Sequence, residues 1–243
     1  MQQTENTAIV LRHVNYRDND RMITLLSPTR GRVDALIRNC RKPKSHNLNS
    51  GELFALGDFM LTEANGRFIV TSVNLIETFY PLRVDYDKLA FGTYLLNLVE
   101  AVAEPDQEQK DLFMLLLHTL SRLAFYDHDP KPLLAGFLLH FSVCQGFRPR
   151  LEHCVLCGKR LPEEGELFFD IEEGGLCCAD CRTPGVQEVL TRAQADWMRM
   201  ALGSGSASWV NTERLYAPTS VLKKYVENKL GRRFRSGGCL PEM

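Results

Sequence analysis

The chain has 243 residues, 44% hydrophobic and 24% charged, with a net charge of −1. That make-up excludes a disordered or fibrous chain and suits one large folded domain or two modest ones. No apolar run reaches the roughly 18–20 residues a membrane helix needs, and no basic stretch followed by an apolar core opens the chain, so a cytoplasmic protein without membrane attachment is expected.

The first 80 residues read as β-structure. Residues 8–11 and 22–26 are short apolar runs. Residues 32–38 alternate, with Val33, Ala35 and Ile37 on one face and Arg32, Asp34 and Arg38 on the other, the period of a half-buried strand. Residues 59–62 and 68–73 flank Asn65-Gly66, a hairpin signal because a type I′ turn needs positive φ at both central positions. Four or five short strands in this span predict a small barrel.

After Tyr80-Pro81 the period becomes helical. Tyr86, Leu89, Ala90, Tyr94 and Leu98 share one face, and Leu112, Leu115, Leu116, Leu120 and Leu123 form a second. Pro132 is placed to open a third helix through Phe137 and Phe141 that ends at Gly146. Thr191 and Gln194 form a capping box for a fourth, which breaks at residues 203–206. A last helix runs from Pro218 to Leu230, closed by Gly231. The fold class is α+β: an OB-type β-barrel over residues 1–80, then an α-helical domain over 81–243 with a metal-binding insertion at about 152–184.

The small net charge conceals a polarised chain. Between residues 8 and 50, nine bases (Arg12, Arg17, Arg21, Arg30, Arg32, Arg38, Arg41, Lys42 and Lys44) face three acids, a surplus of +6. Nine acids face three bases between 152 and 188. Such asymmetry points to a polyanion partner. An OB-type barrel binds single strands with a basic groove and stacking aromatics, and Tyr16 is the aromatic placed among these bases; Phe54, Phe59 and Phe68 fit the core. The nine bases are therefore candidate nucleic-acid contacts, with residues 38–45 as a flexible basic loop. Lys223, Lys224, Arg232, Arg233 and Arg235 form a second basic cluster at the last helix. Cations there complement a helix C-terminus or meet a partner or DNA.

Eight cysteines without an export signal point to metal and free thiols rather than disulfides. Cys154/Cys157 and Cys178/Cys181 are two Cys-x-x-Cys pairs, the spacing of a closed, structural Zn²⁺ site with one ion per chain. Cys177 adjoins Cys178, but only Cys178 leaves two residues before Cys181; His153 is a weaker alternative, and the knuckle-like spacing disfavours an iron–sulfur cluster. Glu163, Glu164, Glu166, Asp170, Glu172 and Glu173 make this segment repel a phosphate backbone. There is no phosphate-binding Gly-rich loop, His-Glu-x-x-His, Gly-x-Ser-x-Gly or zinc-deaminase signature. No enzymatic activity and no catalytic residue are expected.

On these residues the chain resembles the RecO family of bacterial recombination mediators and DNA-repair proteins. The likeness runs from about residue 7 to residue 236. Residues 8–12, Asp20-Arg21 and 22–26 resemble the family's first two strands, and residues 38–45 its Lys-Gly-Ala-Arg-x-x-Lys-Ser loop, with Arg41, Lys44 and Ser45 matching. Residues 137–158 and 168–181 resemble the knuckles of zinc-bearing members; Leu230-Gly231-Arg232 and Arg235-Ser236 resemble the closing segment. Asn39 stands where the family has Gly, a change expected to stiffen the loop, and Arg235 where it has Lys. The resemblance implies binding to single- and double-stranded DNA, strand annealing, and loading of RecA through RecR in the RecFOR pathway. It also implies a nucleoid association and binding of the acidic tail of single-strand-binding protein. The competing reading is a zinc-ribbon scaffold that binds only proteins; a zinc hydrolase would need an open metal position.

Overall fold

A computed structural model of the chain describes residues 3–126, 129–203 and 217–234. These residues form two compact units, the first ending at Tyr126 and the second holding everything described from Asp129 onward. The period changes near residue 80, but the helices over residues 86–102 and 110–125 pack against the first two strands, so the contacts divide the chain later.

In the first unit, β1 (Gln3–Tyr16), β2 (Asp20–Ser27), β3 (Gly31–Ile37), β4 (Leu56–Ala64) and β5 (Arg67–Glu77) close a barrel in the order β1-β2-β3-β5-β4. β3 and β5 pair in parallel and the other neighbours antiparallel. This is the five-stranded OB-type arrangement. The alternation read in the sequence has its cause here: Val33, Ala35 and Ile37 are buried inside with Ala8, Val10, Ile23, Leu25, Phe59 and Leu61, while Arg32 and Asp34 face outward. Asn65 (φ 53) and Gly66 (φ 70) both take the left-handed conformation between β4 and β5, as a type I′ hairpin requires.

Three helices follow: α1 (Pro81–Val84), α2 (Tyr86–Val102) and α3 (Lys110–Phe125). α2 lies against β1, so Ile9 and Leu11, which face away from the barrel interior, are nevertheless buried. Each such side chain contributes about 1.5–3 kcal/mol, against about 0–1 kcal/mol for an exposed pair such as Arg12–Glu100. Apolar burial therefore seats the helix.

In the second unit, α4 (Pro130–Cys144) begins two residues before the expected Pro132. The Asp129 side chain accepts from Lys131 N–H, and both prolines fall in the first turn, where an N–H is not needed. A small sheet, β7-β6-β8, is built from β6 (Leu167–Asp170), β7 (Gly175–Cys177) and β8 (Glu188–Leu190). α5 (Arg192–Gly203) opens with the Thr191–Gln194 capping box: Gln194 N–H donates to Thr191 Oγ1 and Thr191 N–H to Gln194 Oε1. α6 (Thr219–Lys229) ends before Gly231, whose φ is 62. Among the described residues no helix is long and apolar enough to cross a membrane.

Candidate nucleic-acid interface and metal centre

The strand order leaves one face of the barrel framed by the β1–β2 turn, the outer faces of β2 and β3, and the β4–β5 tip. A groove of about 1080 Å³ runs there, lined by Tyr16 and Arg17 from the turn, Arg32 on β3 and Arg38 just after it, and Arg67 and Phe68 at the tip. Pro105 and Asp106 add a wall from the α2–α3 connection. In barrels of this topology the β2–β3 face with these two loops is where oligonucleotides bind.

The nine candidate bases divide into three kinds. Arg38, Arg41, Lys42 and Lys44 are exposed and make no ion pair among the described residues; Arg17, also exposed, lies over the Tyr16 ring with its guanidinium carbon 5.2 Å from the centroid. Arg12, Arg30 and Arg32 are balanced by Glu100 at 3.2 Å, Asp106 at 2.9 Å and Asp34 at 3.0 Å. Arg21 is structural in its contacts: its guanidinium donates to Glu52 at 2.7 Å and to the Gly51 carbonyl at 3.1 Å. The structure thus gathers Arg17, Arg32 and Arg38 at the groove and turns Arg21 inward. Residues 38–45 are an irregular loop, but Cys40 anchors it in the barrel core.

Sequence reasoning passed over Arg67 and Phe68. Phe68, expected in the core, is half-buried, packs on the core from the groove side, and carries the Arg30 guanidinium 4.8 Å from its ring centroid. The signal was available: both residues directly follow the Asn65-Gly66 turn, at the tip that edges the binding face. Phe54 and Phe59 are fully buried, as expected.

In the second unit, two tight turns bring the cysteine pairs together. The first closes with Gly158 N–H donating to the Cys154 carbonyl at 2.8 Å and Gly158 at φ 74; the second closes with Cys181 N–H donating to the Cys178 carbonyl at 3.1 Å. Gly174, at φ 73, ends the β6–β7 turn and Gly175 opens β7. The sulfurs of Cys154, Cys157, Cys178 and Cys181 all lie within 4.8 Å of one another, and Cys157 and Cys178 are 3.9 Å apart. A tetrahedral zinc with bonds of about 2.3 Å needs sulfurs about 3.8 Å apart, so the cage fits such an ion. None of the seven described cysteines is bridged.

The thiols crowd one another. Burial alone would raise Cys154, but backbone N–H groups of Cys157, Cys178 and Leu156 point at its sulfur and bring it down to about 6. Hydrogen bonding with Cys157 and Cys178 pushes Cys181 up to about 12. A bound dication would let all four ionise together. Cys177 lies outside the four-sulfur group, fully buried and paired with Phe168 across β6 and β7, and burial raises it to about 11. His153 is exposed and outside the sulfur cluster.

Two family models cover almost all of the chain: "Recombination protein O N terminal" matches residues 1–79 and "Recombination protein O C terminal" residues 83–237. The chain belongs to the RecO family. Among curated proteins, a DNA repair protein RecO from Anaeromyxobacter dehalogenans is 32% identical over 100% of this chain and 98% of its own length. The one from Symbiobacterium thermophilum is 33% identical over 73% of this chain and 70% of its own. That from Moorella thermoacetica is 26% identical over 97% and 89%. Asn39, which departs from the RecO loop pattern, takes φ 55, the left-handed region that Gly enters freely and Asn better than most residues. The closing RecO segment is described as far as Phe234. There Lys224 pairs with Glu188 at 2.6 Å, Arg232 lies over the Phe234 ring, Arg233 is exposed, Lys223 is half-buried, and Arg235 lies outside the described residues.

Proposed function

We propose that this RecO-family chain binds single- and double-stranded DNA on the open face of its barrel and anneals complementary strands. With RecR it would then help load RecA onto DNA covered by single-strand-binding protein. The observation that carries this reading is the furnished groove: Tyr16 and Phe68 offer stacking faces at the two loops, with Arg17, Arg38 and Arg67 beside them for phosphates. Arg41, Lys42 and Lys44 extend the positive surface along the neighbouring loop. Cations that hold backbones leave base edges free, so two strands kept at high local concentration can find their pairing. Arg30 and Arg32 add less net charge, because Asp106 and Asp34 share the same face.

Cys154, Cys157, Cys178 and Cys181 would hold one zinc ion, which supplies structural cross-linking and no open position for chemistry. The residues around it are acidic, which supports a role away from the phosphates. Lys223, Lys224, Arg232, Arg233 and Arg235 remain candidates for contact with RecR, DNA or the acidic tail of single-strand-binding protein. We assign the chain no catalytic step.

The test is fluorescence anisotropy with a labelled single-stranded oligonucleotide, followed by an annealing assay. Replacing Arg38, Arg41, Lys42 and Lys44 by Ala is expected to weaken binding by about tenfold or more at moderate salt and to slow annealing. Tyr16→Ala with Phe68→Ala is expected to cost about 1–3 kcal/mol per stacked base. Unchanged binding in both variants would leave the protein-only zinc scaffold as the better reading.

A further inference from the structure

Four cations in one short loop repel one another and lose backbone freedom when ordered, so the loop bearing Arg38, Arg41, Lys42 and Lys44 needs an external hold. The β1–β2 turn supplies it. Asn39 N–H donates to Asp20 Oδ1 at 2.9 Å, Arg41 N–H to the Asn19 carbonyl at 3.2 Å, and Arg41 Nη1 to the Asp18 carbonyl at 3.2 Å. Cys40 is 3% exposed within the barrel core, with its sulfur 3.8 Å from the Asn19 carbonyl. Asp20 is the one side chain among these acceptors. Its bond falls on Asn39, whose φ of 55 sets the direction in which the loop leaves β3.

A carboxylate here is otherwise unfavourable, because it repels the phosphates that the loop's cations attract. We infer that Asp20 is a positioning residue of the DNA-binding loop: it fixes the left-handed turn at Asn39 and thereby presents the four cations. The inference rests on the DNA-binding reading above. Asp18, two residues away, is an internal comparison. It is exposed, and among the described residues its hydrogen bond to the loop is made by its backbone carbonyl.

Electrostatics alone moves both positions the same way, since removing either acid should tighten binding. Positioning moves them in opposite directions. In an oligonucleotide-binding titration, Asp18→Ala is expected to bind roughly twofold tighter. Asp20→Ala is expected to bind roughly fivefold weaker despite the lost negative charge. Asp20→Asn keeps an acceptor oxygen and should match or exceed the parent. Asp20→Glu keeps the charge but displaces the bond, and should weaken binding. If Asp20→Ala folds poorly, as read by its thermal midpoint, the Asn and Glu variants decide. Tightening by Asp20→Ala in a folded protein, or parental binding by Asp20→Glu, overturns the inference while loss of binding on removing the four loop cations still upholds the DNA-binding reading. Full binding after that four-fold charge removal overturns both.

Discussion

At the end of β7 the chain passes from strand to knuckle, so neighbouring cysteines meet different surroundings. Cys177 completes the strand and is fully buried, while the Cys178 sulfur joins the cluster. Zinc analysis of purified variants is expected to find the metal lost from Cys178→Ser and retained by Cys177→Ser; the reverse pattern would place the ligand one residue earlier. The strand period explains why spacing alone could favour Cys178 but could not show where Cys177 goes.

His13 gives a second residue-scale test. Burial, then the nearby Arg21, holds its pKa below the ordinary 6.5, although its Nδ1 lies 2.8 Å from the Gly51 carbonyl and Glu52 pulls the other way. The folded chain therefore binds the proton less readily than the unfolded one. Stability from this group is fully present above about pH 6.5 and declines as the pH falls toward and through the lower folded value. Thermal melts across that range should show this loss, and His13→Gln should flatten it; an unchanged slope in the variant would assign the acid sensitivity elsewhere.

Among the elements, the β2–β3 turn is tied to the α2–α3 connection. Arg32 N–H donates to the Glu104 carbonyl at 3.0 Å, and Gln109 N–H to the Pro28 carbonyl at 2.9 Å. Gly31 sits at φ 61, and a Cβ there would lie 2.2 Å from the Glu104 carbonyl oxygen. Gly31→Ala is expected to cost about 2–4 kcal/mol in denaturant unfolding; a loss under about 1 kcal/mol would mean the connection yields easily.

α6 is tied to the cysteine segment and the residues flanking it in a comparable way. Tyr225 donates to the Phe147 carbonyl at 2.6 Å and packs against Gly174, while Lys224 pairs with Glu188. Chelating the metal is expected to lower the thermal midpoint of the second unit and loosen α6, leaving oligonucleotide affinity within about twofold, since the acidic segment does not attract phosphate. A large loss of affinity on chelation would put the knuckles at the DNA.

Much of this element map was legible from the sequence. Period 2 marked β3, Asn65-Gly66 marked the hairpin, and Thr191 with Gln194 marked the start of α5, because each is a local signal. α1, β7 and β8 were not legible. They span three or four residues each and exist through tertiary contacts rather than through a pattern of their own. The groove was half legible: charge density pointed to the first 50 residues. Which cations stand free and which are neutralised depends on acids such as Asp106 that reach the barrel only after folding.

For the whole molecule, charge is segregated along the chain, with a surplus of bases between residues 8 and 50 and a surplus of acids around the cysteines. A near-zero net charge therefore coexists with a local excess of cations at the groove and its neighbouring loop. Whether this face binds DNA by neutralising phosphates is read most directly from oligonucleotide affinity across salt concentrations. Release of condensed counterions predicts a log–log slope of about −0.7 for each single-strand phosphate neutralised. Six contacts, from Arg17, Arg38, Arg41, Lys42, Lys44 and Arg67, would give roughly −4.2, reduced to roughly −1.4 once Arg38, Arg41, Lys42 and Lys44 are replaced by Ala. A slope near zero for the parent chain, or an identical slope for the variant, would contradict phosphate neutralisation by the barrel.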